Sequence, residues 1–168
     1  ILAQHAYSLD VFDTIYCKTR EQLVSTQFYK DNKGILDRKK GGGFCLWKPM
    51  YILDTLDRMG ENDVLLYMDS ADWVHYHENM RSEIFSEMID KDMLLTDGAY
   101  LNKHYTKRDC FVMMGCDKPE YHNFIQLEAG IILLKNTEYT KRIILEWLQW
   151  SKNKNILTGD ENICGLPN

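Results

Sequence analysis

The hydrophobic positions of this chain follow two spacings. Val64-Leu65-Leu66-Tyr67-Met68 is an unbroken apolar run between Asp63 and Asp69. Introduced by Gly60-Glu61-Asn62, it predicts a strand buried on both faces. Gly130-Ile131-Ile132-Leu133-Leu134 is a second such run and predicts a second buried strand. Met50, Ile52, Leu53, Leu56 and Met59 recur instead at three- and four-residue intervals, which is one face of a helix. Pro49 suits the first turn of that helix and Gly60 its end. Glu138 to Trp150 predicts another helix. Ile143, Ile144, Trp147 and Leu148 form its inner face, and Lys141, Arg142, Glu146 and Gln149 its outer face.

Elsewhere the pattern is looser. Ile1 to Tyr7 reads as the tail of a helix. Val11 to Tyr16 is rich in β-formers and predicts a strand. Residues 20–36 read as a helix carrying Leu23, Phe28, Ile35 and Leu36, interrupted near Gly34. Trp73 to His77 reads as a loop, 81–89 as helical and Met93 to Thr96 as a short strand. A helix is expected after Thr106 as N-cap, with Phe111, Val112, Met113 and Met114 as its buried part. Asp117 to Phe124 and Asn153 to Asn168 read as irregular. The alternation of strands and helices predicts an α/β fold: a Rossmann-type sandwich with a mostly parallel central sheet and helices on both faces. At 168 residues the chain is expected to be a single domain, 1–168.

Charge and cysteine usage narrow the function classes. A net charge of -5 argues against a general nucleic-acid binder, which needs a basic surface. The five cysteines are odd in number and lack Cys-x-x-Cys spacing, so neither a zinc site nor a disulfide framework is read from them. A reducing, cytoplasmic compartment is the simpler inference, and a Golgi lumen is compatible if the parent chain carries an anchor. No apolar run reaches membrane-spanning length. The chain opens without Met and ends abruptly, and it reads as a fragment of a longer protein.

Four groups of residues carry candidate chemistry. Asp69 and Asp72 lie beyond the carboxyl end of the first buried strand, where ligands of open α/β sheets bind. Hard cations such as Mg²⁺ or Mn²⁺ take one or two carboxylates together with phosphate oxygens. His75 and His77 are near enough in sequence to join a Mn²⁺ site. The second group is Gly41-Gly42-Gly43, preceded by Arg38-Lys39-Lys40 and followed by Trp47-Lys48-Pro49. Such a loop lets backbone amides approach phosphate, Lys48 adds positive charge and Trp47 a flat face. The Gly-Lys-Ser/Thr ending of a P-loop is missing. Third, Glu128 enters an apolar strand with Gln126 and Gly130 on the same side, an unusual place for an unpaired acid. Fourth, Lys107 and Arg108 sit at a helix start, where cations oppose the helix dipole and a phosphate partner would explain them. Each group also has an ordinary structural reading: a strand-end acid, a surface turn, a hydrated glutamate and a solvated helix turn.

Taken together, these segments resemble the GT-A fold glycosyltransferases. The resemblance is carried by Gly41-Gly42-Gly43-Phe44-Cys45-Leu46-Trp47-Lys48-Pro49, then Tyr67-Met68-Asp69-Ser70-Ala71-Asp72, a variant of the Asp-x-Asp metal motif. Tyr105 to Phe111, Ala129-Gly130 and Glu146-Trp147-Leu148 extend it over roughly residues 10–168. It implies transfer of a sugar from a UDP- or GDP-linked donor to a glycan or protein hydroxyl, with Mn²⁺ or Mg²⁺ on the diphosphate. Asp69 and Asp72 would be the metal residues. Gly42, Gly43, Trp47, Lys48, Asp69, Lys107 and Arg108 would hold the donor, and Glu128 would be the base of an inverting transfer. Ala71 departs from a strict Asp-x-Asp. The family's N-terminal nucleotide-binding strand and its later His-Arg-x-Asp-Gln segment are not in this sequence. The alternatives are a non-catalytic sugar- or protein-binding module on the same fold and a metal-dependent nucleotidyltransferase.

Overall fold

A computed structural model describes residues 2–72, 75 and 77–167. The chain begins with short helices: α1 (Leu2–Ser8), α2 (Arg20–Val24), α3 (Gln27–Asp31) and α4 (Lys33–Leu36). The longer α5 (Trp47–Leu56) leads to β1 (Val64–Met68) and α6 (Met80–Glu87). Then come β2 (Met93–Leu101), α7 (Arg108–Met113), α8 (Pro119–His122) and β3 (Ile125–Lys135). The last helices are α9 (Glu138–Ser151) and α10 (Lys154–Leu157).

The mostly parallel sheet expected from the sequence is not what forms. The sheet has three strands in the order β1-β3-β2, and both pairings are antiparallel. β1 and β2 run the same way and are joined through α6, as the alternation implied. They are not neighbours, however, because β3 lies between them and runs in the opposite direction. An apolar run reads alike in either direction, so hydrophobicity alone could not reveal this.

The two faces of the sheet are not equally covered. Leu65, Tyr67, Met93, Ile132 and Leu134 project to one side, where they meet Ile52, Leu56 and Ile144 of α5 and α9. Burying such aliphatic side chains contributes about 1.5–3 kcal/mol each. On the opposite side Leu66, Met68, Leu94, Ile131 and Leu133 are all short of full burial, and Ile131 is 38% exposed. A second cluster, with Leu23, Leu36, Leu46 and Leu148 as members, ties the N-terminal helices to α9.

Several local expectations also change. Val11 to Tyr16 forms no strand: its β-forming residues find no ladder. The 20–36 helix is three short ones, because Thr19 caps α2 with a capping box and Thr26 caps a new start at α3. Gly34 lies inside α4 and interrupts nothing. The N-cap of α7 is Lys107 rather than Thr106, and Val112, Met113 and Met114 are exposed, leaving Phe111 as the buried apolar residue. Short helices α8 and α10 fall in stretches read as irregular. The loop reading of 73–77 rests mainly on Trp73, Val74 and Tyr76, which lie outside the described residues. Among the described residues no helix is long and apolar enough to cross a membrane.

Candidate functional site

The site is built where β1 ends. Asp72 N–H donates to Asp69 C=O at 3.0 Å, so the chain turns sharply after the strand and brings the two acids together. Asp69 N–H donates to the Gly130 carbonyl at 2.8 Å, which fastens the turn to β3. Gly130 has no side chain to spare here. A Cβ on it would lie 3.0 Å from Asp72 Oδ2 and 3.8 Å from Asp69 Oδ2.

The two carboxylates are not equivalent. Asp69 Oδ1 accepts from the Tyr67 hydroxyl at 2.5 Å, and Asp69 Oδ2 accepts from Lys48 Nζ at 2.9 Å. Burial, followed by the hydrogen bond to Asp69, pushes the Tyr67 phenol well above its usual range, so it remains a donor. Asp72 Oδ2, by contrast, is buried and has no hydrogen-bond partner among the described residues. A buried carboxylate oxygen with no partner is costly unless a cation or proton meets it.

A bulge in β3 explains how Lys48 reaches this place. Leu95 pairs with Ile132, but the next β2 residue, Thr96, pairs with Glu128. Residues 129–131 leave β2 while Ile131 stays opposite Met68 of β1. The freed Ala129 carbonyl accepts from Lys48 Nζ at 2.6 Å. Bulges beside functional sites commonly redirect groups in this way. Lys48, only 4% exposed, therefore spans α5, β1 and β3.

A cavity of about 750 Å³ reaches Asp69. Trp47, Tyr51, all of β1, Asp69 and Ser70 line one side, and residues 11–18 line the other. Since Asp69 N–H bonds to β3, antiparallel alternation turns the N–H and C=O of Val64, Leu66 and Met68 away from β3, towards β1's free edge. The cations at the cavity have acidic partners. Lys18 and Arg58 pair with Asp54, and Arg81 pairs with Asp13.

The glycine loop has a different form from a phosphate cradle. Gly41, Gly42, Gly43, Phe44 and Cys45 all have positive φ, giving a left-handed turn. The amides of Gly42, Gly43, Phe44 and Cys45 donate to carbonyls of residues 39–41. Gly43 is buried against Leu36, where a Cβ would come within 2.6 Å of Leu36 Cα. Trp47 is held over the turn by its Nε1 donating to the Gly41 carbonyl at 3.2 Å.

Lys107 and Arg108 are also engaged elsewhere. Lys107 Nζ contacts Asp109 Oδ2 at 3.0 Å and donates to the carbonyls of Asn155 and Glu161. Asp109 is fully buried and accepts from the amides of Ile163 and Cys164. Burial alone would raise its carboxyl, but the Ile163 amide, Lys107 and Cys164 outweigh it and hold the group well below the usual carboxylate range. Arg108 pairs with Asp117 at 2.7 Å, and His122 meets the same oxygen at 2.8 Å. Burial likewise opposes ionisation of Asp117, and Arg108 and His122 overcome it, leaving that carboxyl lowered.

Of the sequence-selected residues, the structure thus brings together Asp69, Asp72, Lys48 and Gly130, with Trp47 at the cavity. Glu128 is exposed and lies two residues along β3 from Gly130. His77 pairs with Glu83 at 3.4 Å, and His75 is exposed. Among the described residues no group of three or more His, Cys, Asp or Glu is arranged to hold a metal. Two carboxylates remain compatible with Mg²⁺ or Mn²⁺, which keep waters and ligand oxygens in their shells. Tyr67 as a donor to Asp69, and Asp109 as the anchor of the C-terminal segment, were not singled out from the sequence. The i, i+2 spacing of Tyr67 and Asp69 was the available signal for the first. No protein-family model, curated protein or solved structure matches the chain.

Proposed function

We propose that the protein is a metal-dependent glycosyltransferase, taking a sugar from a nucleoside-diphosphate donor to a hydroxyl acceptor. The observation that carries this reading is the buried Asp72 Oδ2 beside Asp69, without a partner among the described residues, with the glycine at 130 keeping the space next to it open. Asp72 would face Mn²⁺ or Mg²⁺ directly. Asp69, fixed by Tyr67 and Lys48, would be the second contributor. A divalent ion there neutralises charge developing on the departing diphosphate. The adjoining cavity is within the size range of small-ligand sites. The outward-facing backbone of β1 and the Trp47 ring supply polar groups and a flat surface for a nucleoside. Glu128 stands on the acceptor side as general base if the transfer inverts configuration.

Titration calorimetry with UDP and GDP, with and without Mn²⁺, tests the reading. Binding should need Mn²⁺, and Asp72→Asn should weaken it more than Asp69→Asn. Failure of both nucleotides to bind with Mn²⁺ would overturn the donor site. Sugar-independent turnover of nucleoside triphosphates would favour a nucleotidyltransferase instead. One observation favours a non-catalytic binding module on this fold: both Asp69 oxygens already have protein partners. Donor binding without hydrolysis or transfer would support that second reading.

A further inference from the structure

We infer that Tyr100 and Tyr105 form a subsite for a saccharide ring, and, resting on the transferase reading above, that this is where the acceptor binds. Tyr100 is 54% exposed and Tyr105 is 64% exposed. Their ring centroids are 5.0 Å apart at an interplanar angle of 66°. His104 stands edge-on to Tyr100 at 6.3 Å. The rings add little to the core, yet the turn that presents them is tightly pinned. Asn102 N–H donates to the Phe124 carbonyl at 2.9 Å, and Asn102 Nδ2 donates to the Tyr121 carbonyl at 3.0 Å. Lys103 Nζ donates to Asn123 Oδ1 at 2.8 Å. The aromatic faces are therefore preorganised for contact with a ligand.

The chemistry suits a sugar. The C–H face of a pyranose carries partial positive charge and stacks on the negative face of an aromatic ring. Its hydroxyls need donors and acceptors around that ring, which the phenols and the imidazole at 104 provide. Position adds a second argument. Leu101, next to Tyr100, pairs with Ile125, and Glu128 follows three residues later on the same strand. That separation is about 10 Å along β3. A Cβ at Gly98 would lie 3.4 Å from Glu128 Cγ, so β2 closes tightly on Glu128 between the tyrosines and the acid pair. The order along the sheet is aromatic pair, Glu128, then Gly130 with Asp72 and Asp69. A ring held at the tyrosines would direct its neighbouring unit towards Glu128.

The test is NMR of tyrosine-labelled protein titrated with methyl glycosides of glucose, galactose and mannose, and with lactose and cellobiose. At least one saccharide should shift the Tyr100 and Tyr105 ring signals. Tyr100→Ala or Tyr105→Ala should weaken that binding by about three- to tenfold, while Phe at either position retains the stacking part. Absence of shifts across the panel, or binding unchanged in the double alanine variant, would overturn the subsite. A parallel titration with UDP and Mn²⁺ separates this from the donor reading. UDP binding without saccharide shifts removes the subsite alone, and tyrosine shifts without UDP binding uphold the subsite while removing the transferase.

Discussion

Lys48 Nζ lies 2.9 Å from Asp69 Oδ2, on a lysine side chain only 5% exposed. The ammonium is therefore part of the carboxylate's surroundings rather than a free arm reaching for a ligand. It also fastens the β3 bulge through Ala129. A positive charge at this point holds Asp69 in place and competes with any cation drawn to the same oxygen.

Lys48→Met keeps the apolar stem and removes the charge. Asp69 is 35% exposed, so water partly compensates it. The variant should lose about 1–3 kcal/mol of stability in urea unfolding, less than a fully buried pair would cost. It should also bind Mn²⁺ about tenfold more tightly, because a nearby like charge has gone. Calorimetry showing no gain in Mn²⁺ affinity would remove Lys48 as a competitor.

Gly43 is required by both shape and space. Its φ is +99°, and a Cβ would meet Leu36 Cα at 2.6 Å. Gly43→Ala should cost about 2–4 kcal/mol, combining left-handed strain with a backbone clash. Gly115 has φ +69° but open space around it. Gly115→Ala should cost only about 1 kcal/mol. Comparing the two variants by urea unfolding isolates the clash with Leu36 from conformational strain.

These contrasts mark what could be read from the chain and what could not. Pro49 does lie in the first turn of α5, and β1 and α9 followed from the apolar run and the 3.6-residue spacing, which are local signals, but α5 ends at Leu56, short of the stop expected at Gly60. Strand direction was hidden, since Ile131 to Leu134 would look the same in a parallel ladder. Val11 to Tyr16 has strand-forming residues, yet it pairs with no strand although β1 has a free edge beside the same cavity, so propensity alone did not decide its form. At the site, Asp69 and Asp72 were legible from their place after β1. The occupation of Lys107 was not, because its partners Asn155 and Glu161 come 48 and 54 residues later. The glycine run reads as a loop whose amides approach phosphate, while in the left-handed turn those amides donate to carbonyls of residues 39–41.

Asp109 gives the protein an acid sensitivity of known sign. Its folded-state pKa is lowered, so the ionised form is favoured by folding. That stability is fully present above the unfolded carboxylate value of about 3.9 and is lost as pH falls towards the folded value. Asp109→Asn should therefore differ most from the parent at pH 5–7, with a gap that narrows below about pH 4. Urea midpoints across this range measure the gap. Hydrogen exchange at the Ile163 and Cys164 amides should be faster in the variant, because both donate to Asp109.

Glu128 separates chemistry from binding. It is exposed on β3, and the acid pair lies beyond Gly130, so its loss should not disturb Asp69 or Asp72. If it is the base of an inverting transfer, Glu128→Gln should reduce kcat by about 10²–10³-fold. Binding of UDP with Mn²⁺ should stay unchanged, because the amide preserves size and touches neither carboxylate. Saccharide shifts at Tyr100 and Tyr105 should persist too. The measurement pairs steady-state transfer assays with calorimetry on the unmutated protein and on Glu128→Gln. A Glu128→Gln protein that turns over normally would place the base elsewhere, or show that the reaction retains configuration and needs none.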